Sequence, residues 1–272
     1  LVRFADEYFH WGPNGARRER ITAALPAAVA LAALFLAWHL VATHGSIGAD
    51  VLPSPGRVIR SGWRDRQSLI RNLWPTLQEV GLGFAASLVA SFVLSIVMDR
   101  WTIVRRALLP LMIASQTIPI IVLAPLVVIW FGFGIGPKIF LVALVTFFPL
   151  VLGLVEGYES SEKEALTLVA TMGAGWWRRF ALVRLPSALP SFFTGLRVSI
   201  TYAVVAAIFA EYAGARRGLG LYMQGAKASF RTDLVLAAVL LTAAVTLLLY
   251  LSTHVIQRLT TPWHRPNRGP RP

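Results

Sequence analysis

The 272 residues include no cysteine and only 13 acidic side chains, and charged residues of both signs make up just 14% of the chain. Without cysteine there is no disulfide, no thiolate metal site and no thiol catalysis. Soluble domains carry nearer about a quarter charged residues, so so little charge places the chain among membrane proteins. No GxxxxGK[ST] phosphate loop occurs, so the chain does not bind ATP by that device. HExxH and GxSxG are equally absent. The five histidines (His10, His39, His44, His254, His264) are scattered near predicted span ends or in the tails, a pattern of interfacial residues rather than ligands. An enzyme within the membrane needs acids, bases or metal ligands converging at depth, and no such cluster is present in the sequence. These absences point to a non-catalytic chain with no metal or cofactor of its own.

What is present is hydrophobic: 56% of the residues, with a mean hydropathy of +0.62. The net charge of +13 would raise nucleic acid in a soluble protein. Here the basic clusters flank apolar runs, which points to lipid headgroups and topology and not to nucleic acid. A helix needs roughly 20 apolar residues to cross about 30 Å of hydrocarbon. By that measure six spans are predicted, at residues 21–43, 73–98, 107–131, 138–158, 191–212 and 234–256. The expected fold is therefore all-α and polytopic. Residues 1–20 form a basic tail, 21–258 the transmembrane domain, and 259–272 a Pro- and Arg-rich tail that reads as disordered. The first apolar run is longer than a signal peptide's and lacks a small-x-small cleavage site, so it is expected to remain as a helix. Six spans put both termini on one side, and the excess of Lys and Arg on that side places it in the cytoplasm of a cell (inner) membrane.

Between the spans, Leu52-Pro53-Ser54-Pro55 predicts an extended turn, because a residue before proline is pushed out of α space. Arg57, Arg60, Arg64 and Arg71 follow at mostly helical spacing and predict a surface helix at the interface. In the second span, Gly81, Gly83, Ala85, Ala86, Ser87 and Ala90 are small enough for close helix approach. The third span is interrupted by Pro110, Pro119 and Pro125, with Gln116 and Thr117 at the break. Charge buried in hydrocarbon is costly and is a functional lead by default. Glu79, Arg197 and Glu211 nevertheless lie near predicted span ends, where snorkelling is cheap. Gln116, Glu79, Tyr202 and Glu211 are the candidates for lining a substrate path.

The most informative stretch is polar: residues 167–190, TLVATMGAGWWRRFALVRLPSALP, within the loop 159–190. Gly173 and Gly175 split it into two short helix-forming pieces, closed by Leu185-Pro186. Met172, Trp176, Trp177 and Phe180 beside Arg178, Arg179 and Arg184 suit an amphipathic helix that docks on a partner or lies on the bilayer surface.

From Gly173 the pattern runs Gly, nine residues, Val183, one residue, Leu185-Pro186. This resembles the cytoplasmic loop of permease subunits in ABC importers that work with a substrate-binding protein. The family's Glu-Ala-Ala falls on Thr167-Leu168-Val169, so its acidic residue is missing; Glu164-Ala165 lies three positions early. That departure is shared by the nitrate, sulfonate and hydroxymethylpyrimidine branch. TLQEVGLGF (76–84), Ala124-Pro125-Leu126, Trp130-Phe131-Gly132-Phe133-Gly134 and Gly195-Leu196-Arg197 resemble the same branch. Phe209-Ala210-Glu211-Tyr212-Ala213-Gly214 and Phe230-Arg231-Thr232-Asp233-Leu234 look most like permeases for hydroxymethylpyrimidine-type thiamine precursors.

The resemblance implies a permease, expected as a homodimer, that works with a separate ABC ATPase carrying ATP and Mg and with an extracytoplasmic binding protein. Met172, Gly173, Ala174, Trp177, Phe180, Leu185 and Pro186 would form the coupling helix and its contacts with the ATPase. Arg216 and Arg217, in the outer loop 214–233, would touch the binding protein. Sulfonate, taurine or nitrate are the alternative substrates within the same class. An ion-coupled secondary transporter is the rival class, although two similar halves and deep ionisable residues are not evident.

Overall fold

The computed structural model describes residues 16–45, 48 and 50–261. Among them there is no strand. The helices are α1 (Ala16–His44), α2 (Pro55–Arg64), α3 (Arg66–Arg100), α4 (Thr102–Ser115), α5 (Ile120–Phe131), α6 (Gly136–Glu159), α7 (Lys163–Thr171), α8 (Trp176–Arg179), α9 (Leu185–Gly214), α10 (Leu219–Ala228) and α11 (Thr232–Thr260). A π-helical turn, Phe180–Arg184, joins α8 to α9. The fold is all-α and polytopic, as the apolar runs predict.

Four stretches are long and apolar enough to cross a membrane: α3, α6, the continuous run Trp176–Gly214 and α11. The predicted third span is two helices, α4 and α5, that meet at 100°. Counted as one crossing, this bent pair makes a fifth span, and Ala28–His44 in α1 is a shorter apolar helix. Of the three prolines, only Pro119 breaks the helix, since Pro110 and Pro125 lie inside α4 and α5. Pro119 is the N-cap of α5, in extended conformation (φ −64°, ψ 129°).

Two further boundaries differ from expectation. Leu185-Pro186 does not close the central loop but opens α9, so the fifth span begins before residue 191. Proline is tolerated in a helix's first turn, and the π turn just before it shifts the hydrogen-bond register. The loop 214–233 also contains a helix, α10. Residues 1–15 and 262–272, which hold most of the predicted tails, lie outside the described residues.

Packing centres on α6, which is sandwiched between α3 and α9. Helices in lipid gain no hydrophobic drive from meeting one another, so close contact depends on small residues. At the α6–α9 crossing, a Cβ on Gly195 would sit 2.4 Å from the Pro149 carbonyl oxygen, and one on Gly153 2.8 Å from that of Ser191. Lower down, one on Gly157 would sit 2.6 Å from the Ala188 Cα. On α3, Gly83, Ser87, Ser91 and Ser95 recur every fourth residue and are all buried. Ser91 donates to the Phe147 carbonyl (3.2 Å), and Ser95 pairs with the Tyr158 hydroxyl (3.1 Å). Gly81, Ala85, Ala86 and Ala90, from the same predicted set, are exposed instead.

Candidate functional site

Two polar arrangements occupy opposite ends of α3, and the central loop forms one of them. Helix α7 ends at Met172 in a Schellman arrangement: Ala174 N–H donates to the Val169 carbonyl (3.2 Å) and Gly173 N–H to that of Ala170 (3.0 Å). That closure places Gly173 at φ +77°, a left-handed conformation suited to glycine. The chain then turns into α8. Trp176 stacks on Phe180 at 5.3 Å, and Phe180 meets the Tyr158 ring edge-on at 5.2 Å. Arg184 pairs with Asp99 at the end of α3, and the Arg100 guanidinium lies 5.8 Å from the Trp176 ring. The loop is thus fixed to the ends of α3 and α6 by aromatic and ionic contacts.

Because these anchors face inward, the remaining apolar groups face out. Met172 is 78% exposed, Trp177 66% and Leu182 65%. Phe180, expected to contact the ATPase, is 4% exposed and packs with Leu154, Tyr158 and Ala188 instead. It holds the loop from within because its ring completes this chain's own core. Ala174 and Gly175 form the link into α8, and Leu185 and Pro186 belong to the first turn of α9.

At the other end of α3 lies a buried polar cluster. Glu79 and Glu211 are 1% and 0% exposed, so neither snorkels to the headgroups as their positions near span ends predict. Lys138 Nζ donates to Glu79 Oε1 at 2.8 Å. Glu79 Oε2 is buried away from solvent, and the Glu211 carboxyl is the neighbour of Glu79. Glu211 in turn accepts from the Thr76 hydroxyl (2.6 Å) and from the Gly220 N–H. Leu219 N–H donates to Thr76 Oγ1 (3.0 Å) and Gly218 N–H to Asn72 Oδ1 (3.1 Å).

The opening amides of α10 therefore end on side chains of α3 and α9. Gly218 takes φ +146°, and a Cβ there would lie 2.2 Å from the Glu211 carboxyl carbon, so only glycine lets the backbone approach that carboxylate. Tyr222, on α10, donates to Asp65 Oδ2 at 2.6 Å. Burial, then the Asp65 carboxylate, pushes the Tyr222 phenol well above its ordinary range, so the hydroxyl remains the donor.

The remaining predicted residues are dispersed. Gln116 is exposed at the α4–α5 bend, and Tyr202 is 52% exposed on α9. Arg197 donates to Gln257 Oε1 (2.6 Å) and so ties α9 to α11. Arg216 and Arg217 are exposed between α9 and α10. The four path candidates do not gather into one cavity. The sequence does not single out Lys138, because it opens a predicted span and nothing local ties it to a carboxylate 59 residues earlier.

Comparison with known proteins gives the family. Residues 83–265 match the model of the binding-protein-dependent transport system inner membrane component. The chain is 35% identical over 216 residues to the formylaminopyrimidine transport permease protein ThiX of Halalkalibacterium halodurans, covering 79% of this chain and 86% of the relative. It is 32% identical over 242 residues to the riboflavin transport system permease protein RibX of Chloroflexus aurantiacus (88% and 90%). It is also 32% identical over 242 residues to the taurine transport system permease protein TauC of Escherichia coli (86% and 88%). The relatives are transport subunits and not catalytic ones. The chain belongs to the family of binding-protein-dependent ABC transport permeases, the inner-membrane components of such systems.

Proposed function

We propose that this permease carries a hydroxymethylpyrimidine-type thiamine precursor inward, as a homodimer coupled to two copies of a separate ATPase that holds ATP and Mg. The observation that carries the coupling role is the exposed apolar set Met172, Trp177 and Leu182, on a loop fixed from behind by Phe180 and Arg184. Exposed apolar groups on a rigid, short support suit insertion into a groove of a partner. ATP binding would close the partner dimer and move the loop, and with it the ends of α3 and α6. In this reading the loop and both termini face the cytoplasm, and α2 and α10 face the binding protein.

Substrate choice is supported by the relative named for formylaminopyrimidine and by the residues 209–214 and 230–234. A relative named for taurine is similar to nearly the same degree, which keeps the sulfonate, taurine and nitrate class as the second reading, and the relative named for riboflavin adds a further candidate. The test is ATP hydrolysis by the chain purified with the products of its neighbouring genes, with and without binding protein and each candidate ligand. Stimulation by a pyrimidine precursor with its binding protein is the expected result. Stimulation by taurine or riboflavin alone would overturn the substrate, and no associated ATPase would overturn the coupling role of the loop.

A further inference from the structure

Helix α2 has two sharply different faces. Val58, Ile59, Gly62 and Trp63 line an apolar groove of 310 Å³ shared with α3 and α11. Ile59 and Trp63 are 63% and 71% exposed along it, as expected of side chains set against acyl chains. The opposite face carries Arg57, Arg60 and Arg64, and with Arg231 and Asp233 at the start of α11 it lines a polar pocket of 440 Å³. Four guanidinium groups share this pocket. Asp50 pairs with Arg57 at 3.3 Å and Asp233 with Arg231 at 3.0 Å, whereas no carboxylate pairs with Arg60 or Arg64 among the described residues. Like charges held this close favour an anionic visitor.

A second feature adjoins the pocket. Helix α10 ends in the same Schellman arrangement as α7: Arg231 N–H donates to the Ala226 carbonyl (2.9 Å) and Phe230 N–H to that of Lys227 (3.0 Å). The left-handed position that Gly173 fills in α7 is here filled by Phe230 at φ 54°, with its ring 84% exposed. An aromatic residue is unfavourable at that position and gains nothing from this chain's own packing. An exposed ring beside a cluster of arginines is the composition of an interface anchor.

We propose that the arginine face of α2, with Arg231 and Phe230, is the seat for an acidic surface of the substrate-binding protein. The proposal rests on the importer reading above and gives that partner a specific docking surface. The apolar face of α2 takes the lipid level, so its arginines point away from the acyl chains and toward water. The Tyr222–Asp65 hydrogen bond ties α10 to the α2–α3 junction, so the pocket and Phe230 move as one platform. Through the amides of Gly218, Leu219 and Gly220, that platform rests on Asn72, Thr76 and Glu211 respectively.

The test uses the permease–ATPase complex in nanodiscs of zwitterionic lipid, with docking of fluorescently labelled, ligand-loaded binding protein measured across a salt series. The triple variant Arg57→Glu, Arg60→Glu, Arg64→Glu should dock on the order of tenfold more weakly or worse, and should lose most of the parent's salt dependence. Phe230→Gly should dock on the order of tenfold more weakly while unfolding at the same or a higher temperature, because glycine suits its backbone. Docking unchanged in both variants overturns the proposal. So does a result in which the triple variant alters only the response to added phosphatidylglycerol, which would assign the pocket to lipid headgroups. A parent complex that recruits no binding protein overturns the importer reading as well, so the two failures are distinguishable.

Discussion

Replacing Lys138 by methionine tests whether the buried cluster beneath α10 is a set of mutual dependences. In the parent, one ammonium serves two carboxylates: Lys138 Nζ is 2.8 Å from Glu79 Oε1, and Glu211 lies beside Glu79. All three side chains are buried. Removing one partner of a buried ion pair costs about 3–5 kcal/mol, because the survivor keeps its charge without compensation. Here the survivor is Glu79, buried beside a second carboxyl group, that of Glu211. The folding equilibrium of Lys138→Met should therefore fall by roughly 10² to 10⁴. Replacing the whole pair, as Glu79→Leu with Lys138→Met, should recover most of that loss, since well-packed apolar groups often match or exceed a buried pair. The assay is denaturant unfolding in detergent micelles, followed by tryptophan fluorescence, across the four members of the double-mutant cycle. A Lys138→Met protein within about 0.5 kcal/mol of the parent would refute the reasoning. A double variant no more stable than the single one would refute it equally.

Trp177→Ala should leave stability unchanged, because the ring is 66% exposed, yet weaken ATPase binding by about 2 kcal/mol and uncouple hydrolysis from uptake. Phe180→Ala should instead destabilise the chain by about 3–5 kcal/mol, as its ring is buried against Tyr158; thermal unfolding and ATPase pull-down of both variants check the contrast. Gly157→Ala should cost about 1–3 kcal/mol, because the added methyl meets the Ala188 backbone and α6 and α9 must part. Gly225→Ala, with open space at its Cβ and a helical site, should be neutral or stabilising in the same unfolding assay.

Local signals carried most of the helices. Apolar runs long enough for a bilayer gave α3, α6 and α11, the spacing of Arg57, Arg60 and Arg64 gave α2 while Arg71 falls in α3, and Gly173 and Gly175 marked the break between α7 and α8. The errors came where tertiary context decides. Pro110, Pro119 and Pro125 look alike in sequence, but only Pro119 coincides with a break. Phe180 and Trp177 are three residues apart on a short helical path; only the position of Tyr158 determines which one turns inward. The contact between Glu79 and Lys138 needs α3 and α6 packed together, and no pattern along one helix encodes it. Within 214–233, Gly214, Gly218, Gly220 and Gly225 disguise α10 as a loop. Two of these glycines are there because Glu211 occupies the space their side chains would need.

Helix α3 is continuous through its 35 residues, a rod of about 52 Å against roughly 30 Å of hydrocarbon. Asn72 and Thr76 grip α10 near one end, and Asp99 grips the central loop at the other. Moving as one body despite the internal Pro75, such a rod would act as a lever. A tilt of about 10° around its midpoint would carry each end roughly 4–5 Å in opposite directions, without bending a hydrogen bond along its length. A push on the loop and a shift of α10 would then be one displacement read at two fulcrum distances, with no need for a relay of rearrangements through the core.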